Sequence, residues 1–420
     1  MAAIQKNSAQ SWFQFVIVFI VGITIAMGMF KVPVNMPNIM NYYGTDMTQV
    51  SLLMSVVGIT CLITALPAGG IMQKVGVKTF GIIVIACGIA ENVIGALAPN
   101  IQVLIASRLL DAVSYGCLSM VSVAIISANF TPEKRGLPNG IWVIWVSLAQ
   151  LLVAQIANAV VPSFGWQGEW YTVAICQAVA LVLFILFVKN PGQEAAEEAE
   201  EATGTEPESK ASVLDGLKEP GPWLLTLSVA GLAFGCSVYT GLYPTYLMSP
   251  LGAGLDEVTA NNLVSIGSLG GIVGSVLIGW IINRFKPTKR GILLTIIGAI
   301  SAVVFAFCFS VPVGLMAVFI FFFAAVSQFS MPIAFAWIPD ILKNPKTLSM
   351  ATGILMIGAN IGGAFGVTIP SMFIDAAGGA WEAGLPVVVI LAVVGTLCAV
   401  ALSFFVQKKV LPVRPDLTGK

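Results

Sequence analysis

The first apolar run decides the fold class: residues 13–30 read FQFVIVFIVGITIAMGMF. A membrane-spanning helix needs about 20 mostly apolar residues. Runs of this kind recur as far as Val406, and 57% of the chain is hydrophobic whereas only 10% is charged. An ordinary soluble domain carries about 25% charged residues. Because the runs are continuous rather than alternating, the chain is predicted to cross a lipid bilayer as helices and not as a barrel.

Twelve spans are predicted, in two sets of six. The first set covers residues 13–37, 48–72, 79–98, 101–128, 138–162 and 169–189. The second set covers residues 222–248, 258–283, 291–311, 313–341, 348–374 and 382–406. Residues 1–189 are thus predicted to form an N-terminal six-helix bundle and residues 222–420 a C-terminal one. The linker between them, 190–221, carries an acidic run at 194–201 and is predicted to be a solvated tether.

The composition also excludes several classes of site. Histidine is absent, which removes the commonest metal ligand and the usual proton carrier near neutral pH. The seven cysteines lie in apolar runs at unrelated spacings, so they predict neither a metal site nor a disulfide framework. The formal net charge is zero and gives no reason to expect nucleic acid as a partner. No nucleophile motif is present, and the sequence predicts neither an enzyme nor a bound cofactor.

Positive charges predict the orientation of the spans. Of the twenty Lys and Arg residues, only Lys31 and Arg108 fall inside predicted spans, and the other eighteen fall at the termini or at alternate connections. The remaining connections carry no Lys or Arg. Their charged residues are all acidic, namely Asp46, Glu169, Asp256, Glu257, Asp375 and Glu382. Cytoplasmic loops of membrane proteins are enriched in Lys and Arg. The protein is therefore predicted to lie in the cytoplasmic membrane, with both termini and the linker facing the cytoplasm.

The two halves of the chain repeat each other. The segment 132–141 matches the segment 345–354 at an offset of 213 residues, and Ala112-Val-Ser114 matches Ala325-Val-Ser327 at the same offset. Internal repeats of this kind are typical of secondary transporters, whose substrate site lies near the middle of the membrane between the repeats.

These segments resemble the major facilitator superfamily over the whole chain. The loop after span two is similar to the loop signature of that family, and a second copy follows span eight. The residues that carry the two copies, which the resemblance makes cytoplasmic gating loops, are Gly69, Gln73, Lys74, Gly76 and Lys78, and then Gly279, Asn283 and Arg284. Both copies have an amide, Gln73 or Asn283, where the family usually has an acid.

The resemblance is nearest to family members that move small anions. Lys31-Val-Pro33 is similar in placement to a basic residue before proline in cyanate-permease-like members, and the glycines of 358–366 are similar to a signature of nitrate/nitrite porters. Arg108 resembles the buried arginine of the family. Span five lacks the Gly-Pro pair that is usual in drug/proton antiporters.

Four charged residues lie well inside the spans: Lys31, Glu91, Arg108 and Asp111. At about 1.5 Å per residue, the first three lie at a similar depth, and Asp111 is one turn deeper than Arg108. Such charges cost on the order of 3 kcal/mol each to insert, so they are retained for a purpose. Either Lys31 and Arg108 bind an anion while Glu91 or Asp111 exchanges protons, or the acids merely form structural ion pairs with Arg108. No partner for Lys31 is evident.

The second half contributes neutral polar candidates to the predicted site. Phe321 and Ala324 stand at the positions that match Arg108 and Asp111. Tyrosines 239, 243 and 246 share one helix face, and the residues predicted to contact substrate are Tyr239, Tyr243, Asn261, Gln328 and Asn360. The competing interpretations are an aromatic belt for the tyrosines and hydrogen bonds between helices for the amides.

The sequence therefore predicts an all-α integral membrane protein of the major facilitator fold that moves a small organic or inorganic anion by alternating access. Transport is expected to be coupled to protons or to exchange, and the protein is expected to be monomeric in the bilayer. The alternatives are a proton-driven exporter of apolar or cationic small molecules and a membrane receptor or sensor that does not transport.

Overall fold

The computed structural model describes residues 6–131, 134–191, 217–344 and 347–414. The acidic run 194–201 of the predicted linker, and most of that linker, lie outside the described residues. Within the described part every regular element is a helix, which confirms the all-helical class.

The described part of the first half contains six α-helices. Their bounds are α1 Ala9–Tyr43, α2 Met47–Val75, α3 Val77–Ala96, α4 Ile101–Asn129, α5 Gly136–Trp142 and α6 Trp145–Phe187. Polar side chains cap the starts of two of these helices. Asp46 Oδ1 accepts from the Gln49 amide at 2.7 Å at the start of α2, and Asn100 Oδ1 accepts from the Val103 amide at 2.9 Å at the start of α4. These caps satisfy amides that a helix start leaves unpaired.

The second half is more broken. Its α-helices are α7 Pro220–Ser237, α8 Tyr243–Met248, α9 Glu257–Ile282, α10 Arg290–Ala306, α11 Met316–Ser327, α12 Ser330–Ile341, α13 Leu348–Phe365, α14 Thr368–Ala376 and α15 Leu385–Phe405. A π-helical turn, Val238–Leu242, joins α7 to α8. Gln328 and Phe329 separate α11 from α12, so the predicted site residue Gln328 lies at a helix break.

Ten described helical stretches are long and apolar enough to cross a membrane, and α10 is a shorter apolar helix. One of the ten, Gly136–Phe187, is 52 residues long and contains a kink at Gly165, where φ is 66°. If that stretch is counted as two spans and α10 is added, the structure has the twelve spans predicted.

The connection predicted at residues 163–168 is reduced to a sharp kink. Gly165, with φ at 66°, is not helical, and it supplies the change of direction between the two helical parts of α6. Glu169, which the charge pattern grouped with the connections between spans, is completely buried, as is Trp170 beside it. The expectation that Glu169 belongs to a connection was wrong, because the turn at Gly165 is short enough to leave this residue in a buried helix.

The described residues divide into two compact units. The first unit takes the described residues up to 191 together with Glu257–Ser265, and the second takes 217–256 and 266–414. Each unit has its own apolar core. The larger cluster of the first unit is built from α1, α2, α3, α4 and α6, and that of the second from α7, α9, α10, α11, α12, α13 and α15. The candidate site described next lies within the first unit.

Candidate functional site

The four charged residues predicted in the spans come together inside the first unit. Lys31 comes from α1, Glu91 from α3, and Arg108 and Asp111 from α4. All four side chains are completely buried, with 0% of their surface exposed. We call these four residues the charge cluster. It contains two basic and two acidic groups, so its charges cancel when all are ionised.

Glu91 is the centre of the charge cluster. Its Oε2 lies 2.6 Å from Lys31 Nζ, and its Oε1 lies 3.1 Å from Arg108 Nη1. Lys31 Nζ also donates to Asn92 Oδ1 at 2.5 Å. Lys31, for which the sequence showed no partner, therefore has two. The single carboxylate of Glu91 thus contacts two buried cations. Without it, the cost of removing these cations from water would not be compensated.

Arg108 uses every edge of its guanidinium. Nε donates to the Leu53 carbonyl at 3.2 Å, and Nη1 donates to the Gly28 carbonyl at 3.0 Å as well as to Glu91. Nη2 lies 3.3 Å from Met29 Sδ and 3.0 Å from Asp111 Oδ2. Lysine has no planar fork of five donors and would not match this arrangement.

Asp111 is held less firmly than Glu91. Its contact with Arg108 is ionic, without an aligned hydrogen bond, and neither carboxylate oxygen has a hydrogen-bond partner among the described residues. A Cβ added to Gly28 would lie only 2.9 Å from Asp111 Oδ1, so the absence of a side chain at Gly28 makes room for that oxygen. Of the two acids, Asp111 is the one with capacity for a further partner.

Amide side chains surround the charge cluster, and the sequence analysis did not find them. Asn92 Nδ2 donates to Gln177 Oε1 at 3.1 Å, and Gln177 Nε2 donates to the Thr24 carbonyl at 3.1 Å. Both amides are completely buried. A signal was available, since Asn92 directly follows Glu91 and Gln177 is a lone amide in an apolar run. Together they tie α3 and α6 to α1.

Another buried acid, Glu169 of α6, lies close to the charge cluster. Asn35, four residues after Lys31, donates from Nδ2 to the Lys31 carbonyl at 2.8 Å and to Glu169 Oε2 at 2.5 Å. Trp170 places its ring under Lys31, with Nζ 4.6 Å from the ring centroid. Sequence reasoning missed Glu169 because it stands next to the kink where a loop was expected.

The second unit brings its predicted tyrosines into an aromatic cluster. Tyr239 and Tyr243 pack on Phe323 with ring centroids 5.2 and 5.4 Å apart, and Tyr246 packs on Trp381 at 5.3 Å. Tyr246 donates its hydroxyl to the Phe309 carbonyl at 3.0 Å, whereas the buried Tyr243 hydroxyl has no partner in the described part of the chain.

The other predicted polar residues have local partners or stand at helix breaks. Asn261, which is grouped with the first unit, donates to Asn158 Oδ1 at 2.8 Å. Asn360 donates to the carbonyl of Met356 in its own helix at 2.9 Å. Whether these residues contact substrate stays a prediction.

The predicted gating loops lie at helix ends. Gly76 ends α2 and precedes α3 with φ at 84°, a conformation that favours glycine. Lys78 Nζ donates to the Ile185 carbonyl at 2.7 Å. In the second copy the Arg284 guanidinium lies 3.8 Å from the ring centroid of Trp280. The other residues of the two loops are buried at Gly69 and exposed at Gln73, Lys74, Gly279 and Asn283.

Nowhere in the described residues do three His, Cys, Asp or Glu side chains converge. What the charge cluster can do is exchange a proton or an ionic partner. Any such change alters the balance of two cations against two acids in a medium where charge is costly.

Comparison with known proteins places the chain in a family. It matches the 4-hydroxybenzoate transporter PcaK of Pseudomonas aeruginosa with 24% identity over 84% of both chains. Its match to the uncharacterized MFS-type transporter YcnB of Bacillus subtilis is 28% identical but spans only 37% of this chain and 33% of that protein. The structure of a bacterial homologue of the human lysosomal transporter Spinster, inward-facing and occupied, superimposes with a TM-score of 0.75 and 16% identity over 97% of this chain and 99% of that one.

The family profile gives the firmest result. The profile described as Major Facilitator Superfamily matches residues 18–311 and again residues 225–419, so its two matches together span nearly the whole chain. The chain therefore belongs to the major facilitator superfamily.

Proposed function

We propose that this protein is a secondary transporter that moves a small monovalent organic anion, such as a carboxylate, together with a proton by alternating access. The observation that carries this proposal is the charge balance of the cluster: two buried cations against two buried acids. Protonation of one acid would leave one positive charge in excess, and a monovalent anion would restore the balance. Proton and anion would then enter and leave as a neutral pair.

Asp111 is the acid best placed to take the proton. Each carboxylate oxygen of Glu91 contacts a buried cation, so a proton there would disrupt two ionic contacts. Asp111 has a single ionic contact and no hydrogen bond within the described residues, so its ionised form has less support. Protonation of Asp111 would release Arg108 Nη2, which otherwise contacts only Asp111 and the weak acceptor Met29 Sδ.

Arg108 and Lys31 would then play different roles toward the anion. The guanidinium can present two donors in one plane to a carboxylate, which gives orientation as well as charge. Lys31 carries its charge on one ammonium group at the end of a flexible side chain, which can contact either Glu91 or the substrate. A comparable substrate is named for PcaK, since 4-hydroxybenzoate is a monovalent carboxylate.

The setting we propose follows from the same sequence features. The protein would lie in the cytoplasmic membrane as a monomer, with both termini and the 190–221 linker in the cytoplasm. The support is the placement of all eighteen Lys and Arg residues outside the spans on one side. No soluble partner is required by this scheme.

A second function is favoured by one observation. Both buried cations already contact carboxylates, so an uncharged or cationic substrate would meet acids rather than free positive charge. A proton-driven exporter of apolar or cationic molecules would use Asp111 or Glu91 in that way. The two functions differ in whether the substrate must carry a negative charge.

A matched pair of probes separates them. Purified protein reconstituted in liposomes would be given an inward proton gradient, with radiolabelled 4-hydroxybenzoate or its neutral analogue 4-hydroxybenzamide outside. We expect uptake of the carboxylate and none of the amide, and competition by other monocarboxylates. Protein-free liposomes correct for passive entry of protonated acid. Uptake or expulsion of the amide alone would contradict the anion function and support the exporter, whereas binding without transport would indicate a sensor.

Asp111→Asn tests the assignment of the proton. The asparagine imitates the protonated acid, so we expect binding of 4-hydroxybenzoate to persist while accumulation driven by the proton gradient is lost. Counterflow exchange of labelled for unlabelled substrate should remain. Gradient-driven accumulation at the wild-type level in this variant would show that another group carries the proton.

A further inference from the structure

Glu169 is a buried acid that the proposed transport cycle has not yet used. It lies on α6 four residues past the kink at Gly165, and its side chain is completely buried. Its neighbours in sequence, Trp166 and Trp170, are buried as well, and their rings pack against each other with centroids 4.9 Å apart. An acid in such a place needs either a cation or a proton.

The described residues supply no cation for it. Oε2 accepts from Asn35 Nδ2 at 2.5 Å, and Oε1 has no hydrogen-bond partner. No Lys or Arg of the described chain lies within ion-pair distance of either oxygen. Glu169 therefore differs from Glu91, which has a cation on each oxygen.

Two charged groups act on Glu169 from neighbouring helices. Lys31 of α1 is close enough to interact electrostatically, but its Nζ is engaged by Glu91 and Asn92. Glu257 of α9, which is grouped with the first unit and accepts from Asn38 Nδ2 at 3.3 Å, repels an ionised Glu169. Arg108 and Asp111 of α4 belong to the charge cluster, whose charges already cancel. An ionised Glu169 would add an uncompensated negative charge.

A buried carboxylate with one neutral hydrogen bond is far more costly than the same group protonated. We propose that Glu169 is a second proton-binding site: it holds its proton in the conformation described, and when it loses that proton it competes with Glu91 for Lys31. This inference adds a residue to the proton-coupled cycle proposed above and rests on that cycle for its functional meaning.

The competition follows from where Asn35 stands. Its Nδ2 touches both the Lys31 carbonyl and Glu169, so the carboxyl group lies within one helical turn of Lys31. Pro33 and Pro37 flank Asn35, and each removes a backbone hydrogen bond from α1. This segment can therefore bend at lower cost than the rest of the helix. A negative charge on Glu169 would draw Lys31 along it, away from Glu91.

A route to water lies at the end of α1. A recess of about 600 Å³ is lined by Tyr42, Tyr43 and the residues that begin α2 and α4. The rings of Tyr42 and Tyr43 pack on Trp166 with centroids 5.7 and 6.0 Å away. The aromatic stack of Tyr43, Trp166 and Trp170 thus separates the recess from Glu169 and Lys31, and movement of its rings would admit a proton.

Infrared spectroscopy tests the protonation directly and needs no substrate. A protonated carboxyl group has a carbonyl stretch distinct from that of a carboxylate, and it shifts when H₂O is replaced by D₂O. We expect wild-type protein at pH 7 to show such a band and Glu169→Gln to lack it. The matched variant Glu382→Gln, at an exposed site, should retain it. A wild-type spectrum identical to that of Glu169→Gln in this region would overturn the proposal.

Transport by the same variant tests the role in the cycle. The glutamine imitates the protonated state, so we expect Glu169→Gln to fold, to bind 4-hydroxybenzoate at pH 6 as wild type does, and to lose at least tenfold in turnover at pH 8. Equal pH profiles for the variant and wild type would overturn the competition with Glu91. If wild type itself fails to transport the anion, the infrared result still decides whether Glu169 holds a proton, so the two failures are distinguishable.

Discussion

The same position in the two halves of the chain holds an ionic group in one and an aromatic ring in the other. Arg108 belongs to the charge cluster, and the residue 213 positions later is Phe321. Asp111 likewise corresponds to Ala324. The two halves repeat one sequence pattern, yet the first buries a cluster of charges, whereas the second buries a cluster of stacked rings around Tyr243 and Phe323.

The two cores respond differently to change. Removal of one member from a buried ionic group strands its partner, whereas removal of one ring from an aromatic cluster costs only the contacts of that ring. The proton of the proposed function would therefore act on the ionic contacts of the first half and not on the stacked rings of the second. Under that proposal, coupling belongs to the first half, and the rings of the second half serve as scaffold.

The backbones differ in the same sense. Helix α1 runs for 35 residues through Pro33 and Pro37 without a break. The corresponding stretch of the second half is divided into α7, a π-helical turn and α8. In α1 the polar contacts of Asn35 lie between the two prolines, whereas in the second half the helical pitch changes at Val238–Leu242, directly before Tyr243.

The largest effect is expected at Glu91. Glu91→Gln leaves both Lys31 and Arg108 buried without their shared carboxylate, so the free energy of unfolding should fall by about 3–5 kcal/mol. Titration with SDS in mixed micelles, followed by tryptophan fluorescence, measures it. Glu382→Gln, at an exposed position, is the control and should change stability by less than about 0.5 kcal/mol. Equal stability of the two variants would mean that the cations of the first half are not in fact buried together.

The next largest effect is expected for Arg108→Ala, and a second substitution should partly restore the stability that this variant loses. Arg108→Ala strands Asp111, but Lys31 and Glu91 remain a neutral pair. In the double variant with Asp111→Ala both members of the pair are gone, and we expect about 1–3 kcal/mol of stability to return. Both variants are measured by SDS titration as above.

The double variant also separates structure from substrate binding. If the pair is only structural, transport of 4-hydroxybenzoate should return together with folding. If Arg108 holds the anion, folding should recover while binding, measured by isothermal calorimetry, stays lost. Failure of the second substitution to restore any stability would contradict the ion pair itself.

The sequence was sufficient to predict the similar depth of the charged residues, although not the contact between Lys31 and Glu91, because depth is additive along a helix. Counting residues from the span ends placed Lys31, Glu91 and Arg108 at one level, and Arg108 and Asp111 on one helix face. Composition likewise predicted the spans, and the resemblance of the two loop motifs indicated the family. These predictions depend on local periodicity and on the cost of charge in lipid, both of which are written in a single sequence.

Partners that depend on packing between helices could not be predicted. Asn92, Gln177 and Asn35 are ordinary amides until the rotation of each helix is known. Glu169 was grouped with a connection because it stands at the predicted start of span six, and only the structure shows that the turn at Gly165 leaves it in a buried helix. Gly165, four residues earlier, was the available signal.

The smallest effects are expected in the aromatic half, where two tyrosines differ by one hydrogen bond. Tyr246→Phe removes the bond from its hydroxyl to the Phe309 carbonyl and should cost about 1 kcal/mol. Tyr243→Phe removes a buried hydroxyl that has no partner among the described residues, so stability should stay the same or rise slightly. SDS titration of the two variants side by side makes each the control of the other.

The Tyr243 variant sharpens the comparison further, because a buried hydroxyl without a partner is retained at a cost. If that hydroxyl contacts substrate, Tyr243→Phe should bind 4-hydroxybenzoate about tenfold more weakly, the equivalent of roughly 1.4 kcal/mol, while its stability is unchanged or improved. The aromatic half would then contribute recognition as well as scaffold. Unchanged affinity in Tyr243→Phe would leave the charged half as the only part shown to select the substrate, and a loss of stability equal to that of Tyr246→Phe would mean that the Tyr243 hydroxyl has a hydrogen-bond partner after all.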